Sequence, residues 1–184
     1  MKEGKALNDI LKTHIFNIPE YQRGYAWKER QLEDMWDDIN DIKINDGEIQ
    51  YHYTGMLCLA PKSLPEEQRW TKRQMFDVVD GQQRLTTIMI LLSQLLYSGD
   101  EYIGETSAKT LIEDFICKKS DKSKSLCLFF QYPETNKNHI CLKKILTNNS
   151  KLNDDSDDNV YKNNLIFAKD FFENKIKDLS EDDK

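Results

Sequence analysis

Residues 76–96 read FDVVDGQQRLTTIMILLSQLL, and this stretch decides the fold. Phe76, Val78 and Val79 make a β-run that stops at Asp80. Leu85, Ile88, Met89, Leu92, Leu95 and Leu96 then recur at helical spacing. A strand therefore hands over to a helix across Asp80-Gly81-Gln82-Gln83-Arg84. A carboxylate, a glycine, two amides and a guanidinium crowded into one turn is not ordinary packing.

Working outward, YHYTGMLCLAP (Tyr51–Pro61) reads as a strand, and residues 61–73, polar with two prolines, read as a surface loop. The strand Gln74–Asp80 returns from it, which predicts a long-looped hairpin with the helix from Gln82 to about Leu96 packed on it. Upstream, His14–Ile18 is a short apolar strand ended by Pro19. IPEYQRGYAW follows, and then a helix with Leu32, Met35, Trp36, Ile39 and Ile42 on one face and acidic residues on the other. Asn45-Asp46-Gly47 is a turn.

Beyond Gly99 the pattern changes. Leu111, Ile112, Phe115 and Ile116 predict a helix, Leu126–Phe130 a short strand, and Ile140–Leu146 another helix. Residues 148–158 are acidic and polar, with the composition of a mobile segment. Tyr161, Leu165, Ala168, Phe172, Ile176 and Leu179 then step by three or four, after the capping types Ser156 and Asp157. The fold class is α/β (α+β): a mixed sheet with packed helices over residues 1–98, then a mainly helical extension over 99–184.

The bulk properties narrow the function. At 184 residues, 32% charged and 39% hydrophobic, the chain has a globular balance and enough length for one core. Its longest apolar run, Ile88–Leu92, is far short of a membrane span. The opening MKEGKALNDILKTHIFNIP lacks the features of a secretory signal. Cys58, Cys117, Cys127 and Cys141 are scattered, with no CxxC pair, and read as reduced thiols in a cytoplasmic protein. A net charge of −6 argues against wrapping nucleic acid by electrostatics alone. The basic clusters at Arg69/Lys72/Arg73, Lys118/Lys119/Lys122/Lys124 and Lys143/Lys144 read as solvated faces.

Two readings of the turn stand side by side. A helix N-terminus presents free N–H groups and the positive end of the macrodipole, Gly81 lets backbone approach a ligand, and Arg84 grips phosphate with two hydrogen bonds. Against this, Asp80-x-x-Gln83 before an apolar run is a variant capping box. Asp80 fits the phosphate reading if it holds Mg²⁺ beside the phosphate or pairs with Arg84. A second phrase adds weight to that reading. Pro19-Glu20-Tyr21-Gln22-Arg23-Gly24-Tyr25-Ala26-Trp27 again sets an arginine and a glycine ahead of a helix. Its aromatics suit either base stacking or core packing.

In this order, IPEYQRGYAW, LEDMWDDI, YTGMLCL and VVDGQQRLTTIMILL resemble the N-terminal ParB-like domain of GmrSD-type modification-dependent (type IV) restriction endonucleases, with the DGQQR motif intact. The resemblance covers about residues 5–98 and continues weakly beyond. It implies a ParB/sulfiredoxin-like fold and binding and hydrolysis of a nucleoside triphosphate with Mg²⁺. It also implies control of DNA cleavage by an HNH nuclease domain in the same or another chain, in defence against phage. Asp80, Gln83 and Arg84 then belong to the catalytic group; Gln22, Arg23, Gly81, Gln82 and Arg84 bind nucleotide; Asp80 is the metal ligand. Oligomers are compatible with this role, and no membrane is involved.

No HNH-like pattern occurs in the chain. His14, His52 and His139 are isolated, which suggests a piece of a longer protein or a nuclease elsewhere. GxxxxGK[ST], HExxH and GxSxG are also missing. The rival readings are a DNA-binding ParB-like module with a non-hydrolytic pocket and a ParB-like fold that itself nicks DNA.

Overall fold

A computed structural model describes residues 5–42, 44–45, 48–49, 52–99, 101–151 and 158–182. The first helix, α1 (Leu7–Thr13), runs directly into strand β1 (His14–Asn17). Helix α2 (Glu29–Asn40) and the short antiparallel pair β2 (Ile44–Asn45) and β3 (Glu48–Ile49) come next. Strands β4 (Cys58–Lys62) and β5 (Gln74–Asp80) flank a 3₁₀ turn at Glu66–Thr71. Helix α3 (Gln82–Leu96) follows at once, with the expected bounds. A small ladder, β6 (Tyr102–Ile103) and β7 (Thr106–Ser107), opens into α4 (Ala108–Phe115). The antiparallel pair β8 (Cys117–Lys119) and β9 (Leu126–Leu128) precedes β10 (Phe130–Gln131). Helices α5 (His139–Thr147) and α6 (Val160–Asp182) complete the order.

The main sheet has the order β10-β1-β5-β4, with β1 parallel to both β10 and β5, and β4 antiparallel to β5. It is the mixed sheet with packed helices that the sequence predicts. Alternation along the strands sorts the two faces, because successive side chains of a strand point oppositely. Phe16, Val78 and Phe130 join the large core beneath α3, α5 and α6, whereas Ile15, Met75 and Phe129 form a smaller cluster with Leu64 and Trp70 on the other face. Arg73 seals this second cluster. Its guanidinium lies 3.5 Å from the Phe129 ring centroid and donates to the carbonyls of Leu11 (2.6 Å), His14 (3.2 Å) and Asp114 (2.6 Å).

Helix α3 is the axis of the core. Thr86, Thr87, Met89, Ile90 and Ser93 are all completely buried, so it is enclosed on more than the one face its apolar residues mark. Contact with α4, α5 and α6, together with the core it shares with Phe16 and Val78 of the sheet, explains this. The hydroxyls that enclosure buries bond back to the preceding turn, Thr86 to Gln82 O (2.7 Å) and Thr87 to Gln83 O (2.9 Å), so no donor is lost. Burying Met89 or Ile90 contributes about 1.5–3 kcal/mol each. Leu165, Ala168, Phe172 and Ile176 of α6 are buried as their spacing predicts, whereas Tyr161 and Leu179 stay partly exposed.

Several expectations need correction. Within 51–61, strand structure begins only at Cys58; residues 52–57 run as an irregular segment, and Tyr51 lies outside the described residues. The predicted loop 61–73 instead continues β4 to Lys62 and contains the 3₁₀ turn. Helix α2 ends at Asn40, so Ile42 is not on it, and only Leu32 of its apolar stripe is fully buried. Helix α6 is capped by Asn159, whose Oδ1 accepts from Tyr161 N (3.1 Å) and Lys162 N (3.0 Å). Ser156, Asp157, Asp46, Gly47 and the centre of 148–158 lie outside the described residues.

Candidate functional site

Three segments meet at one end of the sheet, for a topological reason. Parallel neighbours β1 and β5 both end there, so the loop holding Gln22 and Arg23 and the Asp80-Gly81 turn leave side by side. Antiparallel β4 starts there, with Cys58 opposite Asp80, which brings in residues 52–57. The carboxyl ends of parallel strands are where open α/β sheets form ligand crevices. Here Gln22, Arg23, Trp27, Asp80, Gly81, Gln82, Gln83 and Arg84 line a cleft of about 250 Å³. Every residue assigned to the site from the sequence borders it.

The two glutamines of the motif fasten the second loop. Gln82 Nε2 donates to Arg23 O (2.6 Å); Gln83 Nε2 donates to Gly24 O (3.2 Å), and Gln83 Oε1 accepts from Ala26 N (2.8 Å). Gln22 Nε2 reaches back to Val79 O (2.8 Å). Tyr25 is wholly buried, and its hydroxyl lies 2.7 Å from Thr87 Oγ1. Burial pushes that phenol well above its ordinary pKa, so it stays neutral. Helix α6 contributes too. Asn164 Nδ2 donates to Tyr25 O (3.0 Å), and the Tyr161 ring fills the space a side chain at Gly24 would need. Of the three loop aromatics, Tyr25 is core, Trp27 lines the cleft and Tyr21 is 74% exposed.

The capping box does not form. Gly81, in left-handed backbone at φ 87°, is the N-cap of α3, and no side chain among the described residues caps the helix. The first intrahelical bond of that end is Leu85 N to Gly81 O (3.0 Å), which leaves the N–H groups of the first turn available to a ligand. A Cβ on Gly81 would sit 3.0 Å from Leu57 Cδ1 and 3.1 Å from Met56 O, so only glycine fits. Asp80 is exposed, and no hydrogen bond or ion pair joins it to Arg84. That guanidinium donates instead to Thr54 O and to Met56 O (3.3 Å) across Gly55. Thr54, Gly55 and Met56 were missed by sequence reasoning because the region reads as strand; the glycine at 55 was the available signal. Two arginines against one carboxylate leave the cleft positive in a protein whose net charge is −6.

A family model described as GmrSD restriction endonuclease, N-terminal domain, matches residues 4–184. The chain belongs to this family. No curated protein matches it. The protein is therefore a domain of a GmrSD restriction system, and the match spans the helical second half as well as the motif-bearing first half. No helix among the described residues is long and apolar enough to cross a membrane.

The cleft lining carries one carboxylate, that of Asp80, so a divalent cation there would need phosphate oxygens to complete its shell. No group of three His, Cys, Asp or Glu among the described residues is arranged to hold a metal alone. Mg²⁺ needs only one or two protein oxygens when phosphate supplies others. Asp80 offers a carboxylate. Because Gln82 Nε2 is committed to Arg23 O, Gln82 Oε1 is fixed as a buried acceptor with no donor among the described residues.

Proposed function

We propose that this domain binds a nucleoside triphosphate with Mg²⁺ in the cleft and hydrolyses it, as a control step for DNA cleavage by an HNH nuclease domain of the same or another chain in the cytoplasm. The observation that carries the reading is the uncapped N-terminus of α3, opened by Gly81 and flanked by Arg23 and Arg84. Backbone N–H groups of the first turn and the helix dipole would bind phosphate oxygens. Arg23, exposed on the cleft rim, would supply a mobile cation. Arg84 has five N–H donors; with Thr54 O and Met56 O orienting its guanidinium, the remaining donors would meet phosphate from a fixed direction. Asp80 would hold Mg²⁺, which when bound neutralises charge on the phosphates. Two cations aimed at the phosphates would stabilise charge spread over the oxygens of the transferring group.

Gln83, with both amide ends engaged by the 24–26 backbone, is assigned to positioning that loop. Its engagement also favours a second reading, a pocket that binds nucleotide and does not hydrolyse it. Phosphate release from each of ATP, GTP, CTP and UTP with Mg²⁺, measured beside thermal shift, decides between them. A ligand that binds only the folded state raises its melting temperature. Binding with release supports the first reading, binding without release the second, and no binding refutes both.

A further inference from the structure

Beside the cleft lies a second one of about 210 Å³, lined in part by Trp27, Gln31, Asp34, Met35, Thr54 and Ile88, with Trp27 and Arg84 shared between the two. Neither volume alone reaches the ~300–1,000 Å³ usual for a ligand pocket, whereas the two together do. We propose that the second cleft seats the nucleobase of the bound nucleotide and selects guanine; this rests on the nucleotide reading above.

Trp27, Met35 and Ile88 give it apolar surface against which a planar base packs. The polar wall comes from one face of α2. Gln31 and Asp34 are three residues apart and therefore neighbours on the helix. Gln31 Oε1 accepts from Lys28 N (3.0 Å), which fixes the amide and leaves its Nε2 as a donor toward the cleft. Asp34 carries a carboxylate, which only accepts when ionised. Asp38, one turn on, faces His52 at 3.7 Å. Asp38 is thus taken up by His52, and the wall offers a donor at Gln31 and, one turn on, the two acceptor oxygens of Asp34. The Watson–Crick edge of guanine reads O6 acceptor, N1–H donor, N2–H donor: O6 would take the Gln31 donor, and the adjacent N1–H and N2–H would share the two oxygens of Asp34. Adenine sets an amino donor against Gln31 and a bare N1 against the carboxylate. Cytosine and uracil each offer one donor in place of the adjacent pair.

The test is isothermal titration of the protein with GTP, ITP, ATP, UTP, CTP and inorganic tripolyphosphate, each with Mg²⁺, repeated on Asp34→Asn. GTP should bind at least about tenfold more tightly than ATP, with ITP, which lacks the 2-amino group, between them. Asp34→Asn should erase the difference and leave tripolyphosphate binding unchanged. Asp34 is exposed, so the variant should fold, and its melting curve checks that. Equal affinity for all the nucleotides, or a preference that survives in Asp34→Asn, overturns the guanine seat while leaving the phosphate site standing. If neither tripolyphosphate nor any nucleotide binds, the phosphate site fails and the guanine seat with it.

Discussion

The guanidinium of Arg84 lies across Gly55, so close that a methyl group there would overlap it. Donation to the carbonyls on either side of that glycine holds the side chain in place. Gly55→Ala should therefore act at a distance in sequence, by displacing Arg84, and should raise the Kd for nucleotide about tenfold or more. Its φ of 95° adds backbone strain of about 1–3 kcal/mol. Gly104→Ala is the control, since Gly104 also has positive φ (59°) but no atom near a new Cβ. Comparable binding loss in both variants would mean that strain alone, and not Arg84, is responsible.

Asp80 separates two roles that one carboxylate at a helix start commonly combines. Gly81 is the N-cap, and no side chain among the described residues caps α3, so Asp80→Asn should shift stability by no more than about 0.5 kcal/mol. A metal-binding charge is nevertheless removed. Turnover should fall far more than nucleotide affinity, measured by phosphate release against titration. Full turnover in the variant would strike Asp80 from the site.

Gln83 should behave in the opposite way. Truncation to alanine leaves Ala26 N–H and Gly24 C=O without the partner that now serves both. An unsatisfied buried polar group costs about 1–3 kcal/mol, so Gln83→Ala should lower the melting temperature measurably. Because the loop it holds also carries Arg23, nucleotide binding should weaken in parallel. A variant with normal melting and no turnover would instead make Gln83 a participant in the chemistry.

The contrast between Gln83 and Gly81 shows what the sequence made legible. Periodicity marked the strand β5 and the helix α3 that follows it, and the motif between them lines a cleft. Local pattern did not reveal which partners the motif's side chains take, because those partners lie about sixty residues away, in a loop beside it only through β1–β5 pairing. The same limit hid residues 54–56. Their aromatic and apolar neighbours have strand composition, but the backbone carbonyls there bond to Arg84 rather than to a ladder. The burial of Thr86 and Thr87 was likewise invisible, since α3 is enclosed by distant elements, among them α6 and the loop whose Tyr25 hydroxyl meets Thr87.

On α6, Glu173 accepts from Lys169 (2.5 Å) and Lys177 (2.8 Å), each one helical turn away. Those hydrogen bonds, Lys169's first, hold its carboxyl down at about 2, against 4.5 for the free group. A carboxylate with a lowered folded-state pKa contributes stability above its unfolded pKa, and that contribution is lost as pH falls through the folded value. The window is therefore about pH 4.5 down to about 2. A depression of that size would be worth several kcal/mol in a buried site. Here the glutamate side chain is 38% exposed, and solvent screening reduces each such pair to about 0.2–1 kcal/mol. Glu173→Gln should thus cost about 1 kcal/mol in urea unfolding at pH 7 and almost nothing near pH 2. High salt should shrink the difference at pH 7. A difference that is unchanged by pH and salt would show that Glu173 acts through packing on α6 and not through its charge.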